Sequence, residues 1–218
     1  MRLTTIATFA SFCVLLGLIL SGLSRPKDAI ATAPQPPAQR TGAPGENTCG
    51  SCHTGTLLAD GSISISVSAS EYIPGETYPI TVSVSDPLQT RWGFEITALK
   101  DSNNSMAGSF QSPTQLTGIQ SAGGRTYAGQ DNNGAVVPLE PNDGTHWGTL
   151  NGASWVVNWT APSQGSGTVT FYASGVAANG NGLQDALDYS YKTQRQLTEA
   201  SPTPVSATTW GKIKQRYR

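Results

Sequence analysis

The residues of this chain with the most specific chemistry are Cys49, Cys52 and His53, which stand in the order C-x-x-C-H. This spacing is typical of the attachment site of c-type haem. Two thiols three positions apart can each form a thioether with one haem vinyl group, and the adjacent imidazole then lies beneath the iron as an axial ligand. The sequence therefore predicts one covalently bound haem c, attached through Cys49 and Cys52, with His53 as the proximal iron ligand.

Three other uses of the cysteine pair remain open. A disulfide between Cys49 and Cys52 is compatible with an oxidising compartment. A structural zinc site needs about four Cys or His ligands, whereas the chain after residue 33 contains two cysteines and two histidines. A thioredoxin-like redox pair requires a βαβ context, and the sequence around the motif does not provide one.

The opposite side of the iron has two candidate ligands. The chain contains two histidines, so His146 is the natural distal ligand if His53 binds the proximal side. Met106 is the alternative, and His/Met ligation raises the reduction potential relative to a bis-histidine pair. If neither residue binds, the iron is five-coordinate and open to a small ligand, as haem peroxidase or gas-sensing chemistry requires.

Short β-strands are the elements that must position these residues. Five stretches show apolar residues at every second position, which is the period of half-buried strands. Turn clusters rich in Pro and Gly separate the stretches, and no convincing amphipathic helix is present. The sequence therefore predicts an all-β fold, an immunoglobulin-like antiparallel β-sandwich. The alternating apolar residues are Ile63, Ile65 and Val67; Tyr78, Ile80, Val82 and Val84; Trp92, Phe94, Ile96 and Ala98; Trp155, Val157 and Trp159; and Val169, Phe171 and Ala173.

The region between residues 112 and 152 does not fit this pattern. It is rich in Gly, Asn, Asp and Thr and contains only isolated apolar residues. A segment of this length inside a compact domain is functional, is disordered, or contains strands with weak sequence signals.

The chain divides into five parts. Residues 1–33 begin with Arg2 and an apolar stretch, and they predict a signal peptide or an uncleaved N-terminal anchor. Residues 34–44 are predicted to be a Pro-rich linker, 45–58 the haem-attachment segment, 59–195 the sandwich domain and 196–218 a basic tail. We therefore expect an exported protein that is periplasmic, secreted or on the cell surface.

Charge is distributed unevenly along the 218 residues, although the formal net charge is −1. Between residues 41 and 200 there are five basic and thirteen acidic residues. An acidic body argues against nucleic-acid binding and favours a basic redox partner. The tail after residue 204 carries four basic residues and no acid. It is either solvated, or it docks as a short amphipathic segment on an acidic surface such as an anionic membrane.

Four segments resemble the reelin-type, or reeler, domain: YIPGETY at 72–78, WGFE at 92–95, WVVNWTAP at 155–162 and GTVTFYA at 167–173. The order of the whole chain is similar to bacterial exported proteins in which TGAPGE-x-T-C-x-x-C-H-x-G, here residues 41–55, precedes such a domain. The resemblance covers about residues 41–191 and implies an immunoglobulin-like sandwich on a secreted or surface protein. It also implies a histidine ahead of the W-x-x-x-W-T-A-P strand, a position that His146 approximates.

Two functions are compatible with these observations. The first is an exported monohaem c-type cytochrome-like protein that transfers electrons through a haem docked on the sandwich. The alternative is a non-catalytic cell-surface or adhesion module with a Cys49–Cys52 disulfide or a purely structural haem. Reeler domains have no established catalytic activity, so the resemblance implies that the protein is not an enzyme.

Overall fold

The period-two stretches form strands in the computed structural model, which describes residues 35–55, 60–131 and 144–201. The predicted signal peptide or anchor and the basic tail beyond residue 201 lie outside these residues. Within the described ranges, no helix has both the length and the apolar character that a membrane crossing requires. The regular elements there are a one-turn 3-10 helix at Cys49–Ser51 and the strands β1 (Ser62–Ser66), β2 (Glu71–Tyr72), β3 (Thr77–Ser85), β4 (Arg91–Lys100), β5 (Ser109–Gln111), β6 (Thr117–Ala122), β7 (Arg125–Gln130), β8 (Ala153–Thr160), β9 (Val169–Ala178) and β10 (Tyr189–Glu199).

The strands form two sheets, which confirms the predicted all-β sandwich. The four-stranded sheet has the order β1-β3-β8-β5, and the six-stranded sheet has the order β2-β10-β9-β4-β7-β6. The pairs are antiparallel except for β10 and β2, which run parallel. The five predicted stretches correspond to β1, β3, β4, β8 and β9.

The core lies between the two sheets and contains the alternating apolar residues. At its centre the Trp159 ring lies 4.8 Å from that of Phe171 and 5.6 Å from that of Tyr72, centroid to centroid, in edge-to-face geometry. Such contacts add to the stabilisation that comes from burying large aromatic side chains. The predicted positions Ile65, Val67 and Tyr78 are only partly buried at the edge of this core.

The region from 112 to 152 contains two strands that the sequence pattern did not reveal. Strands β6 and β7 form a hairpin whose turn is made by Gly123 and Gly124, both with positive φ. Most residues of β6 are only partly buried or exposed, and Ile119 is one of its few apolar residues. Because there is little apolar alternation, the period-two signal is absent from this hairpin.

The predicted C-terminal boundary of the sandwich at residue 195 lies inside a strand. Strand β10 continues to Glu199 and pairs with β9 as far as Leu197, which is buried. The alternation is hard to see in the sequence because most other side chains of this half of β10 are exposed and polar.

Residues 35–44 of the predicted linker pack against the six-stranded sheet, so this part of the chain is not a free tether. Thr41 and Ala43 are buried, and Gln120 Nε2 donates a hydrogen bond of 2.7 Å to the carbonyl of Pro36. Hydrogen bonds to the sheet hold residues 35–44 in place, so this segment can pack although few of its residues are apolar. The linker prediction considered only apolar content and therefore missed this contact.

Candidate functional site

Residues 35–55, called here the docked segment, bring the C-x-x-C-H motif to the face of the six-stranded sheet that is opposite the core. The amide of Cys49 donates to Ser174 Oγ on β9 at 3.1 Å. The amides of Thr54 and Gly55 donate to the carbonyls of Asp185 and Asp188 in the β9–β10 loop at 3.2 and 2.9 Å. The motif is therefore fixed at both of its ends to the C-terminal part of the chain.

The two cysteines lie on and just after the 3-10 turn. Cys49 is buried, Cys52 is half-buried, and both are free thiols in this structure. Burial raises the pKa of the Cys49 thiol to about 11, while a hydrogen bond with Ser174 partly opposes this effect. Reactive redox thiols need a lowered pKa. The surroundings of Cys49 therefore do not favour a thioredoxin-like redox pair.

The imidazole of His53 is oriented by a buried carboxylate. His53 Nδ1 lies 2.7 Å from Asp188 Oδ2, and Asp188 also accepts a hydrogen bond from the amide of Asn179 at 3.2 Å. With Nδ1–H donating to the carboxylate, the lone pair of the imidazole is on Nε2, on the opposite side of the ring. Metal-binding histidines show this arrangement, in which a carboxylate hydrogen-bonded to the other ring nitrogen fixes the tautomer and raises the basicity of the ligand.

Cys49, Cys52 and His53 line one cleft that opens to solvent. Part of the lining comes from β4 and β9, where Gly93, Val176 and Ala178 face away from the core. The rest comes from Pro36, Pro37, Arg40, Arg91, Trp92, Phe94, Gln130, Thr145, Gly180, Gly182, Leu183 and Gln184.

The lining at position 93 of β4 has room only for glycine, because the Gln130 side chain packs over it. At Gly93 a Cβ atom would lie 3.1 Å from the side chain of Gln130. Gln130 cannot retreat freely, because its Oε1 accepts the amide hydrogen of Phe94 at 2.7 Å. The donor set of two thiols and one carboxylate-backed imidazole fits haem c.

The structure does not bring His146 into the cleft. Its neighbour Thr145 lines the cleft, whereas the His146 ring packs edge-on against Trp155 with 5.3 Å between the centroids. His146 has a positive φ of 47°. Its role as distal ligand therefore stays a prediction.

Met106 lies near the C-terminal end of β4, where its backbone forms an isolated β-bridge with Leu99. Its sulfur accepts hydrogen bonds from the amide and the hydroxyl of Thr126 at 3.5 and 3.4 Å. The Met106 side chain also packs against the core and does not line the cleft.

Two buried carboxyl groups, which the sequence analysis did not single out, attach the docked segment to the sheet. Glu95 on β4 is fully buried and accepts hydrogen bonds from the amide of Arg40 at 2.6 Å and from Gln120 Nε2 at 3.1 Å. Burial raises the pKa of Glu95 to about 8. Glu46 accepts from Arg125 and from the Tyr127 hydroxyl at 2.5 and 2.7 Å.

The chain has structural similarity to reeler domains, although neither a protein-family model nor a curated protein matches it. The reeler domain of human F-spondin (fragment 1) is 23% identical, with a TM-score of 0.42, over 67% of this chain and 95% of that chain. The Reelin-N domain of F-spondin is 22% identical, with a TM-score of 0.45, over 70% and 96%. A type II cohesin domain from the cellulosome of Acetivibrio cellulolyticus is 11% identical, with a TM-score of 0.36, over 63% and 95%. These similarities carry no inference about function.

Proposed function

We propose that this protein is an exported c-type cytochrome-like protein that binds one haem c covalently and transfers electrons. The observation that carries the proposal is the joint placement of Cys49, Cys52 and His53 at one cleft, with His53 Nδ1 bonded to buried Asp188. Haem c, when bound, supplies an iron that gains and loses one electron. The prediction that the protein is exported rests on the sequence of residues 1–33.

The residues of the site have distinct tasks in this proposal. Cys49 and Cys52 hold the haem through thioethers, and His53 offers Nε2 to the iron while Asp188 keeps the ring in place. The docked segment covers the sheet beside the cleft and keeps water from the Cys49 side. The opening of the cleft leaves a route for electron exchange with a partner.

The net negative charge of the described residues, four of whose carboxyl groups are buried, supports a basic electron-transfer partner. The described residues include eleven acidic and six basic side chains. Opposite charge on the partner would increase the rate of encounter, and this effect weakens as salt is added.

The second candidate is the non-catalytic surface or adhesion module. A two-sheet sandwich suits such a role without any bound group, because one fold supports many functions. In that case Cys49 and Cys52 would form a disulfide, or the haem would be purely structural.

The deciding experiment is expression of the full chain, with residues 1–33, in a host that matures c-type cytochromes. We expect a coloured protein with a sharp α band after reduction, and haem that stays on the chain in a denaturing gel. The Cys49→Ser/Cys52→Ser variant should lose the gel-retained haem. A colourless wild-type protein from a competent host would contradict electron transfer and support the adhesion module.

The distal ligand is decided by a second spectrum. If His146 binds the iron, His146→Ala should convert a low-spin spectrum to a high-spin one, while Met106→Leu should leave it unchanged. An unchanged spectrum in His146→Ala would exclude His146, and the packing of its ring against Trp155 would then be its native role.

A further inference from the structure

We propose that Arg40 and Arg91 bind the two propionate carboxylates of the haem, and this inference rests on the proposed function. Haem is attached to a C-x-x-C-H motif by its vinyl groups, so its two propionates need other partners in the cleft. Arg40 comes from the docked segment and Arg91 from the start of β4, and both line the cleft together with the motif.

One donor group of Arg40, which lines the cleft, is unsatisfied. Its Nη1 donates to the carbonyl of Gln39 at 3.1 Å. Its Nε is shielded from solvent and has no hydrogen-bond partner among the residues that the structure describes. A buried donor without a partner is destabilising, and a carboxylate within reach would supply the missing bond with charge assistance.

The charge of Arg40 is only weakly compensated by the protein. The Glu95 carboxyl interacts with Arg40, but burial raises the pKa of Glu95 to about 8. At pH 7 most Glu95 is therefore protonated and neutral. A second carboxylate, supplied from the cleft, fits the remaining positive charge.

Two contacts hold the side chain of Arg91 in position at the start of β4. Its Nε donates to Thr145 Oγ1 at 3.1 Å, and its guanidinium carbon lies 5.9 Å from the centroid of the Trp147 ring. Both contacts restrict the side chain, so little conformational entropy is lost when a carboxylate binds to it.

The described part of the cleft lining is positively charged. Among the residues that the structure describes, the lining contains two arginines and no Asp or Glu, although these residues as a whole have more acids than bases. A carboxylate in a mostly apolar cleft is costly without a paired cation, and each arginine places a cation in the same lining as the motif.

The first test separates the propionates from the covalent attachment. The full-length Cys49→Ser/Cys52→Ser chain is titrated with haemin and with haemin dimethyl ester, in which the propionates carry no charge. We expect Arg40→Gln and Arg91→Gln each to weaken haemin binding about tenfold or more, as for the loss of a charge-assisted hydrogen bond. Both variants should leave the binding of the ester unchanged. Arg195→Gln, on exposed β10, is the matched control.

The second test uses the covalently loaded protein. Removing either guanidinium leaves a propionate charge uncompensated, which stabilises oxidised iron, so the reduction potential should fall in both variants but not in Arg195→Gln. Circular dichroism and thermal melting confirm that each variant is folded. A loaded wild-type protein whose Arg40→Gln and Arg91→Gln variants keep haemin affinity and potential would overturn the propionate assignment alone. A wild-type protein that takes up no haem would overturn the proposed function and this inference together.

Discussion

The two faces of the six-stranded sheet are covered in different ways. The inner face packs against the four-stranded sheet through apolar side chains such as Phe94 and Phe171. The outer face is covered by the docked segment, and polar groups such as Glu95 and Ser174 make the contact through hydrogen bonds. The candidate site is on the outer face, where directional bonds fix the position of the motif.

The difference shows what each kind of cover contributes. Apolar burial is non-directional and supplies most of the stability of the sandwich. Hydrogen bonds to buried polar groups add less net stability, but they are costly to leave unmade. The outer cover is therefore a weaker contact with a more specific geometry.

The largest effect is expected from a change on the inner face. Trp159→Ala removes a fully buried ring and the hydrogen bond from Nε1 to the Ala107 carbonyl, so the free energy of unfolding should fall by about 3–5 kcal/mol. Urea denaturation measures this loss. Trp147→Ala, at a side chain that is 36% exposed, is the matched control and should lose much less. Equal losses would show that the core is not centred on Trp159.

A smaller effect is expected from a change under the docked segment. Glu46→Ala leaves Arg125 and the hydroxyls of Thr41 and Tyr127 without their shared partner, which should lower the free energy of unfolding by about 1–3 kcal/mol. The segment should then become sensitive to limited proteolysis while the sandwich stays resistant.

The control for this experiment is Glu71→Ala, at an exposed carboxylate. If Glu46→Ala and Glu71→Ala are cut at the same rate within residues 35–55, then Glu46 does not attach the segment.

The pH dependence of the free energy of unfolding should reveal the raised pKa of Glu95. Its pKa in the folded protein is about 8, above the ordinary value of 4.5, so the folded state holds the proton more tightly. The contribution of Glu95 to stability is therefore complete below pH 4.5 and is lost as the pH rises through 8. Between pH 5 and 9 the wild type should lose more stability than Glu95→Gln. Parallel pH profiles would mean that Glu95 is ionised in the folded protein.

The smallest effect is expected on the exposed face of β8. Val156 is 41% exposed, and Val156→Thr should change the free energy of unfolding by less than about 0.5 kcal/mol. Val157→Thr, one residue further along, places a hydroxyl in the core and should cost about 1–3 kcal/mol. Chemical denaturation of the pair checks the alternation, which would be refuted if the order of the two losses were reversed.

The sequence was sufficient to predict the sandwich because alternation records which side chains of a strand are buried. It was also sufficient to find Cys49, Cys52 and His53, whose spacing is specific. Asp188 could not be found in this way, because a single aspartate 135 residues from His53 has no local pattern. The docked segment was missed for a related reason: its contacts are hydrogen bonds between groups far apart in the sequence, and these leave no periodic pattern.

The long sequence separation between the motif and its anchors has a consequence for biogenesis. Cys49 bonds to a residue 125 positions later, and His53 to one 135 positions later. Closing such distant contacts is slow relative to local ones. Since synthesis proceeds from the N-terminus, the thiols emerge well before β9 and the following loop exist to bury Cys49. An enzyme that modifies Cys49 therefore meets an open chain, and docking of residues 35–55 ends the interval in which it can act.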